Sequence, residues 1–291
     1  MIDSHHHIWR QQDLPWLLGP EQPRIFGEYA GIKRDYLIDE YLSDIAETGI
    51  TKSVYVQANW APNWFADEAA WVQSVADDTG WPHAIVAYAD FTSADVRPQL
   101  DKLKEYPLVR GIRQQLHWHE NPLYRFAKSD DLASLKHVQK NIARLEEYGW
   151  CFDLQVFSTQ SKHAIALAAA CPNVNFILQH AGMPEDTSEL GWSRWRRDMQ
   201  ALAECRNIYV KLSGLGTFVH QLNNELINRV VTETISQFGA ERCMYGSNFP
   251  IEKLWTSYDS LYSALRESVG DLTVKETDAI FKNTAEHVYR L

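Results

Sequence analysis

The chain begins Met1-Ile2-Asp3-Ser4-His5-His6-His7-Ile8-Trp9, so two histidines stand two residues apart inside a short apolar run. In an extended strand, residues i and i+2 share a face. His5 and His7, with Asp3 below them, are therefore expected on one side and His6 on the other. Two neutral imidazoles side by side can hold a divalent ion or polarise a substrate oxygen. Three histidines set in a strand pattern do not read as the Gly/Ser-flanked run of a purification tag. A third candidate, His180, stands where the apolar run Val174–Gln179 meets the turn Ala181-Gly182-Met183-Pro184. At the end of another apolar run, Val109–Leu116, Arg113, Gln115 and the following His117 share parity and are expected to look inward. An inward arginine needs an acid or a ligand carboxylate. Pairing with Asp153 and binding of a substrate anion both stay open. Lys211, amid Val210-Lys211-Leu212-Ser213-Gly214, needs a counter-ion or a substrate oxyanion in the same way. Gln155 ends one further run. Asn248 ends the last, held between Gly246-Ser247 and Phe249-Pro250.

Eight apolar stretches must position these groups: Ile2–Ile8, Ser53–Ala58, Ala84–Ala89, Val109–Leu116, Cys151–Phe157, Val174–Gln179, Ile208–Leu212 and Arg242–Gly246. Most are β-branched or aromatic and of the length of buried parallel strands. Segments of helical period lie between them, at 35–48, 67–79, 132–148, 164–170, 193–204, 224–238 and 258–268. Phe91–Asp95 reads as a turn into the third helix, and 273–291 as a terminal helix. Gly49, Gly80, Gly149 and Gly239 mark helix ends. Strand and helix repeated eight times predict an α/β fold, a single (β/α)8 TIM barrel spanning 1–291. An open doubly wound sheet is the runner-up, weakened by the lack of a glycine-rich loop after the first strand. In a barrel the active site lies at the C-terminal strand ends, where the histidines fall. The long Trp9–Lys33 segment reads as a lid or pocket wall, with a surface insertion as the alternative. Trp9, Trp60 and Trp255 are assigned to pocket walls.

The chain has 291 residues and a formal net charge of −10, with no basic stripe to meet phosphates, so nucleic acid is not an expected partner. No run of 18 apolar residues occurs, so no membrane-spanning helix is expected. No basic-then-apolar leader precedes Asp3, which places the expected location in the cytoplasm. Cys151, Cys171, Cys205 and Cys243 are scattered and read as reduced core thiols. The expected partner is a small molecule, and a homo-oligomer is compatible with the sequence.

Asp3-x-His5-x-His7, Gln179-His180-Ala181-Gly182-x-Pro184, Lys211-Leu-Ser-Gly and Gly246-Ser247-Asn248-Phe249-Pro250 together resemble the amidohydrolase superfamily. The closer resemblance is to the amidohydrolase-2 branch of sugar-acid lactonases and 2-pyrone-4,6-dicarboxylate lactonase. It spans residue 3 to about 255. It implies a hydrolase opening a small lactone, expected to be acidic and sugar-derived. It also implies that His5, His7 and His180 polarise the ester carbonyl, directly or through one divalent ion such as zinc held by those three. No cofactor at all is the equal alternative, since the pyrone-dicarboxylate branch is thought to work without metal. Arg113, Lys211 and Arg125 are expected to bind a substrate carboxylate, and His117, Gln155, Trp60 and Trp255 to complete the substrate site. The sequence departs from the pattern at Asn248, where the family carries an aspartate base, and at Gln155, where metal-dependent members carry a ligand. An amide is no base, so Asn248 is expected to orient water and a histidine to accept the proton. A lactone isomerase, a decarboxylase and a non-enzymatic ligand-binding barrel remain as alternatives.

Overall fold

The computed structural model describes residues 1–291. The eight strands are β1 (Ile2–His6), β2 (Lys52–Val56), β3 (Ala84–Ala87), β4 (Val109–Ile112), β5 (Cys151–Leu154), β6 (Phe176–Leu178), β7 (Ile208–Leu212) and β8 (Cys243–Tyr245). They lie in one parallel sheet in the order β1 to β8. The ring closes just beyond the strands: Asn248 N–H donates to His5 O, and His7 N–H to Phe249 O, both at 2.7 Å. This is a (β/α)8 barrel. No helix is long and apolar enough to cross a membrane.

The apolar contacts divide in two. The larger set fills the layer between sheet and helices, as the amphipathic stripes of Ile38–Ile45 and Asn224–Phe238 require. The smaller set lies inside the barrel, where Ile2, Val54, Val86 and Met244 meet Val288 and Tyr289 from below. The terminal segment therefore plugs the bottom, broken into Val274–Asp278 and Thr284–Tyr289 by a π-turn rather than running as one helix. The helix expected over 132–148 is likewise divided into Lys136–Ala143 and Leu145–Tyr148 behind a short 3-10 turn. Strand β4 stops at Ile112, and Gln115 rejoins the sheet by a single bridge to Gln155.

One expectation fails at β1. Asp3 does not share a side with His5 and His7. Asp3 pairs with Ser53 while His6 pairs with Tyr55, so three residues advance against two and a bulge intervenes. Asp3 and His6 consequently face the helices, where His6 stacks on Tyr41 at 3.9 Å. Asp3 is wholly buried and collects five donors. Its Oδ1 accepts from His5 N at 3.0 Å and Ser247 N at 2.9 Å. Its Oδ2 accepts the hydroxyls of Ser247 (2.6 Å), Tyr258 (2.9 Å) and Tyr41 (3.0 Å). Replacing Asp3 by alanine strands all five in a dry interior, at a cost of about 3 kcal/mol or more. Urea denaturation of Asp3→Ala is expected to show that loss. An unchanged midpoint would refute the role of Asp3 as the fastener of the barrel seam.

Candidate active site

The strand tips bring the three distant histidines together. The His5 ring centroid lies 5.1 Å from that of His7 and 5.0 Å from that of His180. Two glycines make the approach feasible: a Cβ on Gly246 would sit 2.7 Å from the His5 Cβ, and one on Gly214 would run into the His180 ring. His7 Nδ1 is 2.6 Å from Val56 O. A carbonyl only accepts, so Nδ1 carries the proton and Nε2 is free to accept. His180 Nδ1 is 2.9 Å from Ser213 Oγ. Neither ring nitrogen of His5 has a protein partner.

A cavity of about 720 Å3 opens above them. His7, His180 and Asn248 line it, and His5 forms the layer beneath. Asn59, His180, Met183 and Asn248 line it with φ between 52° and 63°, a left-handed backbone uncommon outside glycine. Unfavourable backbone thus gathers where the strands end on the cavity, as it does at functional sites. Trp9, Trp16 and Phe26 from the first long loop form one side, and Trp16 Nε1 donates to Ala58 O at 3.0 Å. That loop is a pocket wall and not a surface insertion.

Arg113 is a buried cation that faces the cavity without an ion pair. It is 3% exposed, and its Nη2 donates to Gln57 O at 2.5 Å and its Nη1 to Gln155 Oε1 at 3.4 Å. Its Nε has no partner, and the same holds for Gln57 Nε2, Gln115 Oε1 and His117 Nδ1 around it. Burial lowers the guanidinium to about 10, which leaves it charged at neutral pH. Trp60 lines the cavity, and Arg125 sits at its mouth, over the Trp118 ring at 4.8 Å.

Two expected substrate groups lie elsewhere. Lys211 is wholly buried inside the barrel, 2.7 Å from Asp153 Oδ2, with the Tyr289 ring 5.1 Å away. Asp153 also accepts from Gln179 Nε2 and Tyr289 Oη, each at 2.9 Å. Lys211 therefore has its counter-ion in the protein, one layer below the cavity, and Asp153 is not the partner of Arg113. Trp255 packs beside His220 outside the cavity and donates from Nε1 to Glu252 at 2.9 Å. The residue pattern also gave no notice of two buried carboxyls. Glu68 lines the cavity, and Glu252 lies one turn beyond Asn248 under it. Burial pushes each up to about 7. Acidic residues in a first helical turn ordinarily read as a solvated dipole partner.

The imidazoles move the other way. Burial foremost, then nearby Lys211 or Arg113, holds His5 and His7 well below their usual range. His180 and His117 fall to about 3, chiefly by burial with Arg113 adding to it. His6 also falls to about 3 by burial.

The whole chain, residues 2–291, matches the amidohydrolase family model. It is 34% identical over 293 residues to the uncharacterized protein y4mH of Sinorhizobium fredii, covering 100% of this chain and 98% of that one. It is 28% identical over 304 residues to an L-fucono-1,5-lactonase of Burkholderia multivorans, with coverage of 100% and 96%. Crystal structures of a Burkholderia multivorans amidohydrolase, one with bound HEPES and one with bound zinc, superpose with a TM-score of 0.82 at 28% identity, covering 100% of this chain and 99% of theirs. In the present chain the donors do not fit a divalent ion. No three His, Cys, Asp or Glu side chains converge as a ligand set. The imidazoles bring no negative charge, no carboxylate stands among them, and the unpaired Arg113 adds positive potential beside them.

These shifts fix the sign of an acid effect. The unfolded chain protonates its histidines near the ordinary value of 6.5, whereas His6, His117 and His180 resist until about 3. Unfolding therefore takes up protons in that window, and stability falls as pH drops through it. Glu68 and Glu252, at about 7 against an ordinary 4.5, oppose this only above 4.5. Calorimetry is expected to show a melting temperature that declines below about pH 6.5 and more steeply below about 4.5. A rise on acidification would contradict the buried neutral histidines.

Proposed function

The chain belongs to the amidohydrolase family, and on that premise we propose that it is a hydrolase that opens the ring ester of a small lactone carrying a carboxylate on a hydroxyl-rich, sugar-acid frame. The observation that carries the substrate reading is Arg113, a buried guanidinium with no acid partner, facing the cavity. A lone buried cation is costly, and a bidentate substrate carboxylate is the ligand that matches its planar fork. Arg125 at the mouth adds a second positive group on the same path. Gln57, Gln115, Gln155 and His117 offer amide and imidazole atoms in the spacing of a wall, which suits ring hydroxyls. The lactonase name of the Burkholderia multivorans relative supports the ring-opening chemistry.

The lactone carbonyl lies against the imidazoles. His7 and His180 line that end of the cavity, with His5 behind them setting their orientation. With His180 Nδ1 accepting from Ser213 Oγ, its Nε2–H donates to the oxyanion of the tetrahedral intermediate, an interaction worth about 3 kcal/mol in comparable sites, while His7, whose N–H is held by Val56 O, accepts at Nε2 from a ring hydroxyl. Asn248 holds the attacking water or a ring hydroxyl through its amide. Its backbone fixes that amide, since its N–H is tied to His5 O at 2.7 Å. Hydrolysis and acyl migration to a neighbouring hydroxyl share this arrangement up to the attacking oxygen. Incorporation of labelled oxygen from water separates them.

Turnover of a panel of sugar lactones, carboxylated and neutral, tests the reading. The carboxylated members are expected to be the better substrates. Arg113→Met is expected to lower their kcat/KM by about 100-fold while changing the neutral members by only a few-fold. Equal losses on both kinds of lactone would refute an anion-binding Arg113. Incubation with a chelator is expected to leave the rate unchanged. Loss of activity restored by added zinc would overturn the metal-free reading of the donor set.

A further inference from the structure

Ring opening needs a group that takes a proton from water, and the imidazoles are poorly suited to it. His180 and His117 hold protons only below about 3. A base works best when its pKa lies near the operating pH. Asn248 cannot accept one at all. A carboxyl reaching the cavity is therefore the missing part, and Glu68 is placed to be it.

Glu68 stands in the first turn of the helix Phe65–Thr79 and folds back under the loop that follows β2. It is 3% exposed, and it lines the cavity. Its Oε1 accepts from Tyr55 Oη at 2.8 Å and from Ala58 N at 2.5 Å. Its Oε2 makes no hydrogen bond within the protein, and no lysine, arginine or histidine lies within ion-pair distance of either oxygen. A carboxyl serving only to hold the loop needs neither this free oxygen nor its place on the cavity wall. The titratable groups that face it are Tyr55 from β2 and Arg113 from beyond β4, and Arg113 spans the gap by donating to Gln57 O, one residue before Ala58. Glu252 is the other buried carboxyl of the region, but it lies behind Asn248 and does not line the cavity.

Resting on the lactone-opening reading, we propose that Glu68 is the general base of the reaction. The water oxygen forms a bond to the lactone carbonyl carbon as one water proton passes to Glu68 Oε2. The carbonyl π pair moves to its oxygen, beside the imidazoles. When that pair returns, the ring C–O bond breaks, and the departing alkoxide takes the proton back from Glu68. Lactone and water give one hydroxy acid, and Glu68 ends as it began. Burial pushes the carboxyl up to about 7, against the pull of Ala58 N–H, Tyr55 and Arg113. About half of it is thus ionised at neutral pH, and its basicity exceeds that of His180 by several orders of magnitude.

The experiment is the pH dependence of kcat/KM on the best lactone of the panel, for the wild type, Glu68→Gln and Tyr55→Phe. The wild type is expected to lose activity below a midpoint near 7. Glu68→Gln is expected to lower kcat by about 100-fold or more, with KM within a few-fold, and to abolish that acid limb. Tyr55→Phe removes a donor that favours the ionised carboxylate, so it is expected to move the midpoint upward while keeping most of the rate. A merely structural Glu68 would move neither midpoint. A loss greater than tenfold together with loss of the limb supports the proposal. A smaller loss, or a limb that survives in Glu68→Gln, overturns it. If circular dichroism shows Glu68→Gln to be unfolded, the other two profiles decide: a flat wild-type profile from about pH 5.5 to 8, or an unmoved midpoint in Tyr55→Phe, overturns it. A wild type that opens no lactone overturns the function and the base together. A wild type that does, matched by Glu68→Gln, overturns the base alone.

Discussion

The seam between the first and last strands depends on one carboxylate. Asp3 gathers donors from β1, from the segment after β8 and from two outer helices. It thereby fixes the first and last pieces of the ring to each other and to the layer outside. The same seam carries three of the groups proposed to act on the lactone. His5 O accepts the Asn248 N–H, and the His7 N–H donates to Phe249 O. The placement of two imidazoles and the eighth-strand amide thus follows from how the barrel closes. The bulge in β1 makes this geometry possible, because it sends Asp3 to the helix side while His5 and His7 stay inside.

Charge in the barrel is arranged by depth. The lower layer holds Lys211 and Asp153 as a closed pair, with Gln179 and Tyr289 completing the hydrogen bonds of the acid. Such a pair is neutral as a unit and tolerable in a dry interior only because its partners are all supplied. The layer above holds neutral imidazoles. Arg113 stands at that upper level with no acid of its own. The positive potential the substrate meets is therefore that of the arginines, since the lysine below is already compensated. The two carboxyls of the upper region, Glu68 and Glu252, have no ion pair either, and burial raises both. A site with separated, unpaired charges of both signs is stabilising for a ligand that bears the complementary groups, and costly without one.

Much of this was legible in the residues. The eight apolar runs and intervening helical periods correspond to the strands and helices, and the tips of strands one, six and eight bring His5, His7, His180 and Asn248 to the same end. What alternation could not convey was depth along the barrel axis. Lys211 has the parity of an inward residue, but it still lies within β7 and belongs to the lower layer, whereas Arg113 lies just past the end of β4. Parity also fails across a bulge, which is why Asp3 was expected on the wrong face. Glu68 escaped for a different reason. Its neighbours Asp67, Ala69 and Ala70 make an ordinary helix start, and nothing local tells that the first turn tucks under the end of β2.

The amide at position 248 is best understood from its backbone and its neighbours together. With φ at 58°, the residue occupies a region where asparagine and aspartate are both tolerated better than most side chains. Conformation therefore explains why one of the two stands there but does not choose between them. Chemistry makes the choice. An aspartate would combine the duties of orienting water and taking its proton in one side chain. An asparagine can perform only the first, which divides the work and requires a carboxyl from another element. The cavity contains one lining carboxyl with an oxygen to spare, on the opposite side of the seam from Asn248. An enzyme built this way keeps its water-orienting group free of charge across the whole working pH range, and its pH response is then set by the remote acid and by the phenol and guanidinium that flank it.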